Sequence, residues 1–121
     1  MKTLSQVIGA RSSVVTVGPR ETTAHALQLM AEHRVGAVLI IQNGSVIGVV
    51  TEQDCARPAS RNLRVQDIMM PVVCASQQTT VRDAMAIMAE RQVSHLPVLD
   101  DHKDIVGLVS MGTLAQETAA A

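Results

Sequence analysis

The residues best suited to chemistry lie in the stretch Gly48-Val49-Val50-Thr51-Glu52-Gln53-Asp54. A glycine and two β-branched residues are typical of a strand end, and Thr-x-x-Asp is typical of a capped helix start. The hydroxyl of Thr51 and the carboxylate of Asp54 can bind a ligand by hydrogen bonds, but a helix cap needs no ligand. From the residues alone, both roles stay open and the cap is favoured.

A weaker copy of this junction occurs 59 positions later, as Gly107-Leu108-Val109-Ser110-Met111-Gly112-Thr113. Upstream, a shift of 58 matches a longer series of residues, which are Thr22, Ala26, Met30, Ala31, Glu32 and Val35 with Thr80, Ala84, Met88, Ala89, Glu90 and Val93. Chance rarely gives so many matches in order. We infer a tandem duplication.

The other reactive side chains form no catalytic pattern. No Ser-His-Asp, Cys-His or paired-carboxylate set stands out, so we expect no enzyme. The histidines (His25, His33, His95 and His102) lack the spacing of a metal site. Cys55 and Cys74 are 19 positions apart, and we expect two buried thiols, with a disulfide or a redox switch as alternatives.

Composition excludes several classes of function. At 121 residues the chain is one domain by size, and 47% of its residues are hydrophobic. It has no Phe, Trp or Tyr and a net charge of −1, so it offers neither stacking platforms nor a basic face for nucleic acid. We find no membrane-spanning run and no signal peptide, and we expect a cytoplasmic protein.

Each repeat reads as strand, helix, strand, strand, helix, which makes an α/β (α+β) fold. Thr22 and Thr80 should begin the first helices, and Asn43-Gly44 predicts a tight hairpin. Pro97, inside an apolar run, predicts an edge strand or a late strand start. We assign residues 1–57 to the first repeat, 58–66 to a linker and 67–121 to the second. Arg57, Arg61 and Arg64 then lie solvated at the linker, unless one reaches a phosphate.

These segments together resemble the CBS domain family. The resemblance rests on Val-Gly-Ala-Val-Leu-Ile followed by Gly-Val-Val-Thr-Glu-Gln-Asp, and on Val-Ser-His-Leu-Pro-Val-Leu-Asp followed by Gly-Leu-Val-Ser. The phrase Val65-Gln66-Asp67-Ile68-Met69-Met70-Pro71 is similar to the one before a second CBS repeat. The resemblance covers nearly the whole chain. It implies a CBS pair (a Bateman module), with repeats related by a pseudo-two-fold axis, that commonly dimerises and binds adenosyl ligands between its repeats.

The resemblance also implies roles for individual residues. Thr51 would bind a phosphate, helped by free backbone N–H groups of its helix, and Asp54 would accept the two ribose hydroxyls. The remaining contacts of this site would come from Gly36 and Ala37 near the phosphate, and from Pro71, Val72, Val93, Ser94 and His95 around the adenine. For His95, a ligand contact and a local hydrogen bond are equally expected.

The second junction departs from the family's pattern, because Thr113 replaces the expected aspartate. A weak or empty site is therefore expected at Ser110 and Thr113, with Val14, Val35, Gly36 and Ala37 across the cleft. The expected function is a regulatory sensor of AMP, ATP, NAD(H) or S-adenosylmethionine that needs no cofactor and signals to another protein as a homodimer. The alternative is a degenerate pair that acts as a dimerisation or docking scaffold without ligand.

Overall fold

The computed structural model describes residues 1–8 and 14–119. These form two compact units, one from Val15–Val72 and the other from the described residues of Met1–Val14 and Val73–Ala121. The elements in chain order are α1 (Leu4–Ile8), β1 (Thr16–Val17), α2 (Thr23–His33), β2 (Ala37–Gln42), β3 (Ser45–Thr51), α3 (Glu52–Ala56), a 3-10 turn (Pro58–Ser60), α4 (Val65–Ile68), β4 (Ala75–Ser76), α5 (Val81–Arg91), β5 (His95–Leu99), β6 (Ile105–Ser110) and α6 (Met111–Ala119).

The two units have the same topology. Each contains a three-stranded sheet, with the order β1-β2-β3 in one and β4-β5-β6 in the other. The outer pairs β1–β2 and β4–β5 are parallel, whereas β2–β3 and β5–β6 are antiparallel hairpins. Both hairpins shift register at corresponding places, between Ile40 and Ile41 and between Val98 and Leu99. The α/β fold with two repeats is therefore confirmed.

The long helices begin and pack as their sequences predict. Thr22 Oγ1 accepts the N–H of His25 at 3.1 Å, and Thr80 Oγ1 accepts the N–H of Asp83 at 3.1 Å. One stripe of each helix is buried, and these stripes are Thr23, Ala26 and Met30 on α2 and Val81, Ala84 and Met88 on α5. The methionines fill the cores between helix and sheet.

The short helices α1 and α4 were not predicted, and each packs into the core of the repeat that it does not directly precede in sequence. Leu4 of α1 is fully buried in the unit that contains β4–β6, where its N–H donates to Thr79 O at 2.8 Å. Val65 of α4 is fully buried in the unit that contains β1–β3, where its N–H donates to Glu21 O at 2.8 Å. The helix that precedes each repeat thus completes the core of the other repeat.

Both alternatives predicted for Pro97 are wrong, because β5 is the middle strand of its sheet and begins at His95, before the proline. At the matching position of the first repeat, the N–H of Leu39 donates to Val15 O at 3.0 Å. Proline cannot make that bond. In the second repeat, β4 pairs only with Val98 and Leu99 of β5. Pro97 therefore lies just before the parallel pairing begins, where β5 needs no N–H donor toward β4. The Asn43-Gly44 hairpin is confirmed, with φ of 53° and 79°.

Candidate functional site

The first junction brings four of the predicted site residues together. Thr51 ends β3, and its Oγ1 accepts the N–H of Asp54 at 3.2 Å, which is the predicted cap. Ala37 at the start of β2 is the strand partner of Thr51. The carbonyl of Gly36 accepts the N–H of Glu52 at 2.9 Å. The start of β2 therefore lies directly against the start of α3.

These bonds change one expectation about phosphate binding. The N–H groups of Glu52 and Asp54 already donate to Gly36 O and to Thr51 Oγ1. The expectation that free backbone donors of this helix assist the phosphate is wrong for these two groups. The threonine hydroxyl can still donate its own proton, because a hydroxyl is both donor and acceptor. Gly36 also lines a cavity of about 390 Å³ with Arg34, Val35 and Glu52.

The Asp54 side chain is held beside an arginine at the surface. Its exposed fraction is 20%, and its Oδ1 lies 3.5 Å from Nη2 of Arg57, whose side chain is 70% exposed. Arg57 is therefore paired with Asp54, the residue expected to bind the ribose. A second of the three linker arginines, Arg64, donates from Nη1 to Arg20 O at 2.5 Å. The segment 58–66, expected to be a linker, folds onto the unit Val15–Val72.

The remaining predicted site residues divide between the units. Pro71 and Val72 lie in the unit of Asp54, directly after Met70, which exchanges backbone hydrogen bonds with Val49 of β3. The other unit contains Val93, Ser94 and His95. There Ser94 Oγ lies 3.0 Å from Nδ1 of His95, which is the local bond that the sequence left open.

The second junction repeats the backbone of the first but differs in its side chains. The N–H of Met111 donates to Ser94 O at 3.0 Å, as Glu52 does to Gly36 O. Ser110 Oγ accepts the N–H of Thr113 at 3.2 Å, and it lies 3.0 Å from Thr113 Oγ1. The two hydroxyls are bonded to each other, and no carboxylate is present at position 113. Val14 lies in this unit, and Val35 lies in the other.

The two cysteines occupy different environments. Cys55 on α3 is buried as predicted, and burial together with the neighbouring Asp54 carboxylate raises the pKa of its thiol to about 11. Cys74 is exposed, so the expectation of two buried thiols is wrong for it. It precedes β4 at a point where Ala75 is the residue that faces the core. Both cysteines are free, and partial burial also raises the pKa of Cys74.

Across residues 1–8 and 14–119, no group of three or more His, Cys, Asp or Glu side chains is arranged to hold a metal ion. Within the same described ranges, no helix combines the length and the apolar character needed to cross a membrane.

A scan of protein families gives the assignment. The model of the CBS domain matches residues 4–60 and again residues 65–119. The chain belongs to the CBS domain family. The CBS domain-containing protein YhcV of Bacillus subtilis is 32% identical to this CBS pair over 110 residues, which is 86% of the chain and 78% of YhcV. An inosine-5'-monophosphate dehydrogenase of Methanocaldococcus jannaschii is 26% identical over 100 residues, but the match spans only 20% of that enzyme.

Solved CBS pairs share the fold over nearly the whole length. The CBS pair of protein MJ0100, in complex with 5'-methylthioadenosine and S-adenosyl-L-methionine, has a TM-score of 0.84 at 20% identity and covers 99% of this chain and 98% of its own. CBSX2 of Arabidopsis thaliana, in complex with AMP, has a TM-score of 0.76 at 21% identity with coverages of 99% and 98%. These two relatives bind adenosine compounds.

Sequence reasoning missed two residues beneath the first junction. Ser60 Oγ donates to Asp54 O at 2.7 Å, and Thr23 Oγ1 donates to Ser60 O at 2.9 Å. Both side chains are buried. Aligning the two repeats could have identified these residues, because the polar Thr23 and Ser60 align with the apolar Val81 and Ala119.

Proposed function

We propose that this CBS pair is a regulatory module that binds an adenosine-containing ligand at its first junction. Asp54 accepts hydrogen bonds from the ribose hydroxyls, and Thr51 donates its hydroxyl proton to a phosphate or to another polar group of the ligand. Gly36 and Ala37 lie beside Thr51, and Pro71 and Val72 of the same unit supply adenine contacts. The ligand is AMP, ATP, NAD(H) or S-adenosylmethionine.

The observation that carries this proposal is the difference between the two junctions. The same two hydrogen bonds begin both helices, yet Asp54 carries a half-buried carboxylate beside Arg57, whereas Thr113 is bonded to Ser110. A carboxylate has two acceptor oxygens and no competing donor, which suits a pair of ribose hydroxyls. The adenosine ligands of the MJ0100 pair and of CBSX2 support the same ligand class. We therefore expect one occupied site in each chain, with the junction of Ser110 and Thr113 weak or empty.

A ligand panel tests the proposal directly. Binding of AMP, ATP, NAD(H) and S-adenosylmethionine would be measured by calorimetry and by thermal shift, for wild type and for Asp54→Asn. A hydrogen bond to a charged acceptor contributes about 1.5–3 kcal/mol, so affinity should fall roughly tenfold to a hundredfold. Asp101→Asn removes the same charge from an exposed hairpin turn and should leave affinity unchanged.

The second junction provides a further control. Thr113→Val removes the hydroxyl that bonds Ser110 and should not alter ligand affinity if the first junction is the site. Equal losses in Asp54→Asn and in Asp101→Asn would point to a general effect of charge and would contradict the proposal. No binding of any panel member at millimolar concentration would favour the alternative, a CBS pair that serves as a dimerisation or docking scaffold.

The proposed output is regulation rather than catalysis. A bound ligand stabilises the conformation that it binds best, so occupancy alters the surface seen by a partner protein. We expect no enzymatic activity in this chain. Its match to the M. jannaschii dehydrogenase covers only a fifth of that enzyme. We also propose a homodimer in the cytoplasm. Sedimentation with and without the ligand would give the oligomeric state and its response.

A further inference from the structure

Four polar residues around the first junction are replaced together in the second repeat. The residues are Asp54, Arg57, Ser60 and Thr23, and their counterparts are Thr113, Gln116, Ala119 and Val81. The repeats share their helix caps and the buried stripes of their long helices, but their backbones differ after the junction. There α3 ends at Ala56 before the turn Pro58–Ser60, whereas α6 continues to Ala119. The joint presence of the four residues in one copy indicates a shared task, and Asp54 is the member that faces a ligand in the proposed function.

Two of the four hold the backbone of Asp54 from beneath. Ser60 Oγ donates to the carbonyl of Asp54 at 2.7 Å, and Thr23 Oγ1 donates to the carbonyl of Ser60 at 2.9 Å. Thr23 and Ser60 are only 3% and 5% exposed, and they are the buried polar residues of the described chain. A buried hydroxyl that loses its partner is destabilising, so these bonds fix the position of α3 firmly.

The third residue acts on the carboxylate itself. Arg57 Nη2 lies 3.5 Å from Asp54 Oδ1 across an i,i+3 spacing. An exposed pair of this kind contributes little to stability, so stability does not account for it. The contact favours the Asp54 rotamers that keep Oδ1 beside the guanidinium of Arg57. A carboxylate has about four acceptor positions, so one ion pair leaves room for two ribose hydroxyls.

We propose that Arg57, Ser60 and Thr23 are positioning residues that orient Asp54 for recognition of a ribose diol. This inference rests on the proposed function and adds to it the means by which one repeat became the binding repeat. Arg57 holds the carboxylate, and the Thr23–Ser60 bonds hold the backbone from which it projects. None of the three needs to contact the ligand.

The first test uses Arg57→Gln with adenosine, AMP and 2',3'-dideoxy-AMP as probes. Arg57 is largely exposed, so unfolding should be unchanged while affinity for adenosine and for AMP falls equally, by about fivefold, the most that an exposed ion pair is worth. Affinity for the dideoxy compound should not change, since it lacks the hydroxyls. In an Asp54→Asn background, Arg57→Gln should have no further effect on binding.

Other outcomes overturn the inference in distinct ways. A loss for AMP without a loss for adenosine would make Arg57 a phosphate ligand, and tighter binding by Arg57→Gln would make it a competitor of the ribose. Unchanged affinity for all probes, with wild-type binding intact, would refute the positioning role and leave the proposed function standing. If wild type binds neither adenosine nor any member of the ligand panel, the proposed function fails and this inference fails with it.

The buried residues are tested with matched hydroxyl variants. Ser60→Ala should weaken AMP binding and Ser60→Thr should restore part of it, while Thr23→Ser should retain affinity and Thr23→Val should not. Thr118→Ala is the control, because Thr118 Oγ1 donates to Ala115 O on the matching helix of the other repeat. The positioning role of Ser60 would be refuted if the Ser60→Ala variant folds and binds AMP as tightly as wild type does.

Discussion

The glycine that opens the first junction should be required for packing rather than for ligand binding. A Cβ at Gly48 would lie 2.6 Å from Sδ of Met69 and 3.0 Å from both its Cβ and its Cγ. The sulfur could rotate away, but the Met69 Cβ is attached to a backbone whose N–H donates to Val65 O at 2.9 Å. The next residue, Met70, exchanges two backbone bonds with Val49. The methyl group therefore has no space to enter.

Gly48→Ala should consequently lower the free energy of unfolding by about 1–3 kcal/mol, the usual cost of overpacking a well-packed site. For a chain of this length that is roughly a 4–12 °C fall in Tm. Gly107→Ala instead brings a Cβ against the outer atoms of Ile8, with Cδ1 at 2.7 Å and Cγ1 and Cγ2 at 3.1 Å. It should cost less, because the isoleucine can adjust without moving the backbone.

Urea denaturation of five variants, namely Gly48→Ala, Gly107→Ala, Gly18→Ala, Met69→Ala and the Gly48→Ala/Met69→Ala double variant, would test this reasoning. Gly18→Ala is the control, since a Cβ there meets nothing within 4 Å. Met69→Ala combined with Gly48→Ala should be less destabilising than the sum of the single changes, because the smaller side chain makes room. A Gly48→Ala protein as stable as wild type, or strict additivity in the double variant, would refute the packing explanation.

Three further predictions concern stability and thiol chemistry. Gly44→Ala should lower the free energy of unfolding by about 1 kcal/mol in urea melts, because Gly44 has a φ of 79°. Thr80→Ala should cost about 1 kcal/mol by removing a helix cap, and Thr80→Ser should restore it. The raised pKa of Cys55 means that its thiol ionises first in the unfolded chain, near its ordinary pKa of 9.0. Stability should therefore fall between about pH 9 and 11, and a stability profile of Cys55→Ala that keeps the same decline would contradict this.

Much of the fold could be predicted from local patterns. Thr22, Thr80 and the Asn43-Gly44 pair carry signals that act within a few residues, and the structure has each feature where the sequence places it. The helices α1 and α4 were missed because four or five residues give no periodicity. Their burial depends on partners far along the chain, such as Thr79 for Leu4.

The wrong prediction for Pro97 and the missed Thr23–Ser60 bond also depend on residues that are distant in sequence. Pro97 was predicted to mark an edge strand or a late strand start, but whether a strand tolerates a missing N–H depends on how far its neighbour extends, and β4 has only two residues. At the site, the Thr51–Asp54 cap is local and was predicted. The bond from Thr23 to Ser60 joins residues 37 apart, and no local pattern specifies it.

The exchange of leading helices has a consequence for the order of folding during synthesis. The unit Val15–Val72 is continuous in sequence, so its whole core, including Val65, is available before the second repeat has been made. The other unit is discontinuous, because Leu4 must wait for Thr79 and the strands that follow. Long-range closures of this kind are slow compared with local ones. The repeat that contains Asp54 should therefore be assembled while α1 is still without its core, and the repeat that contains Ser110 and Thr113 should be completed last.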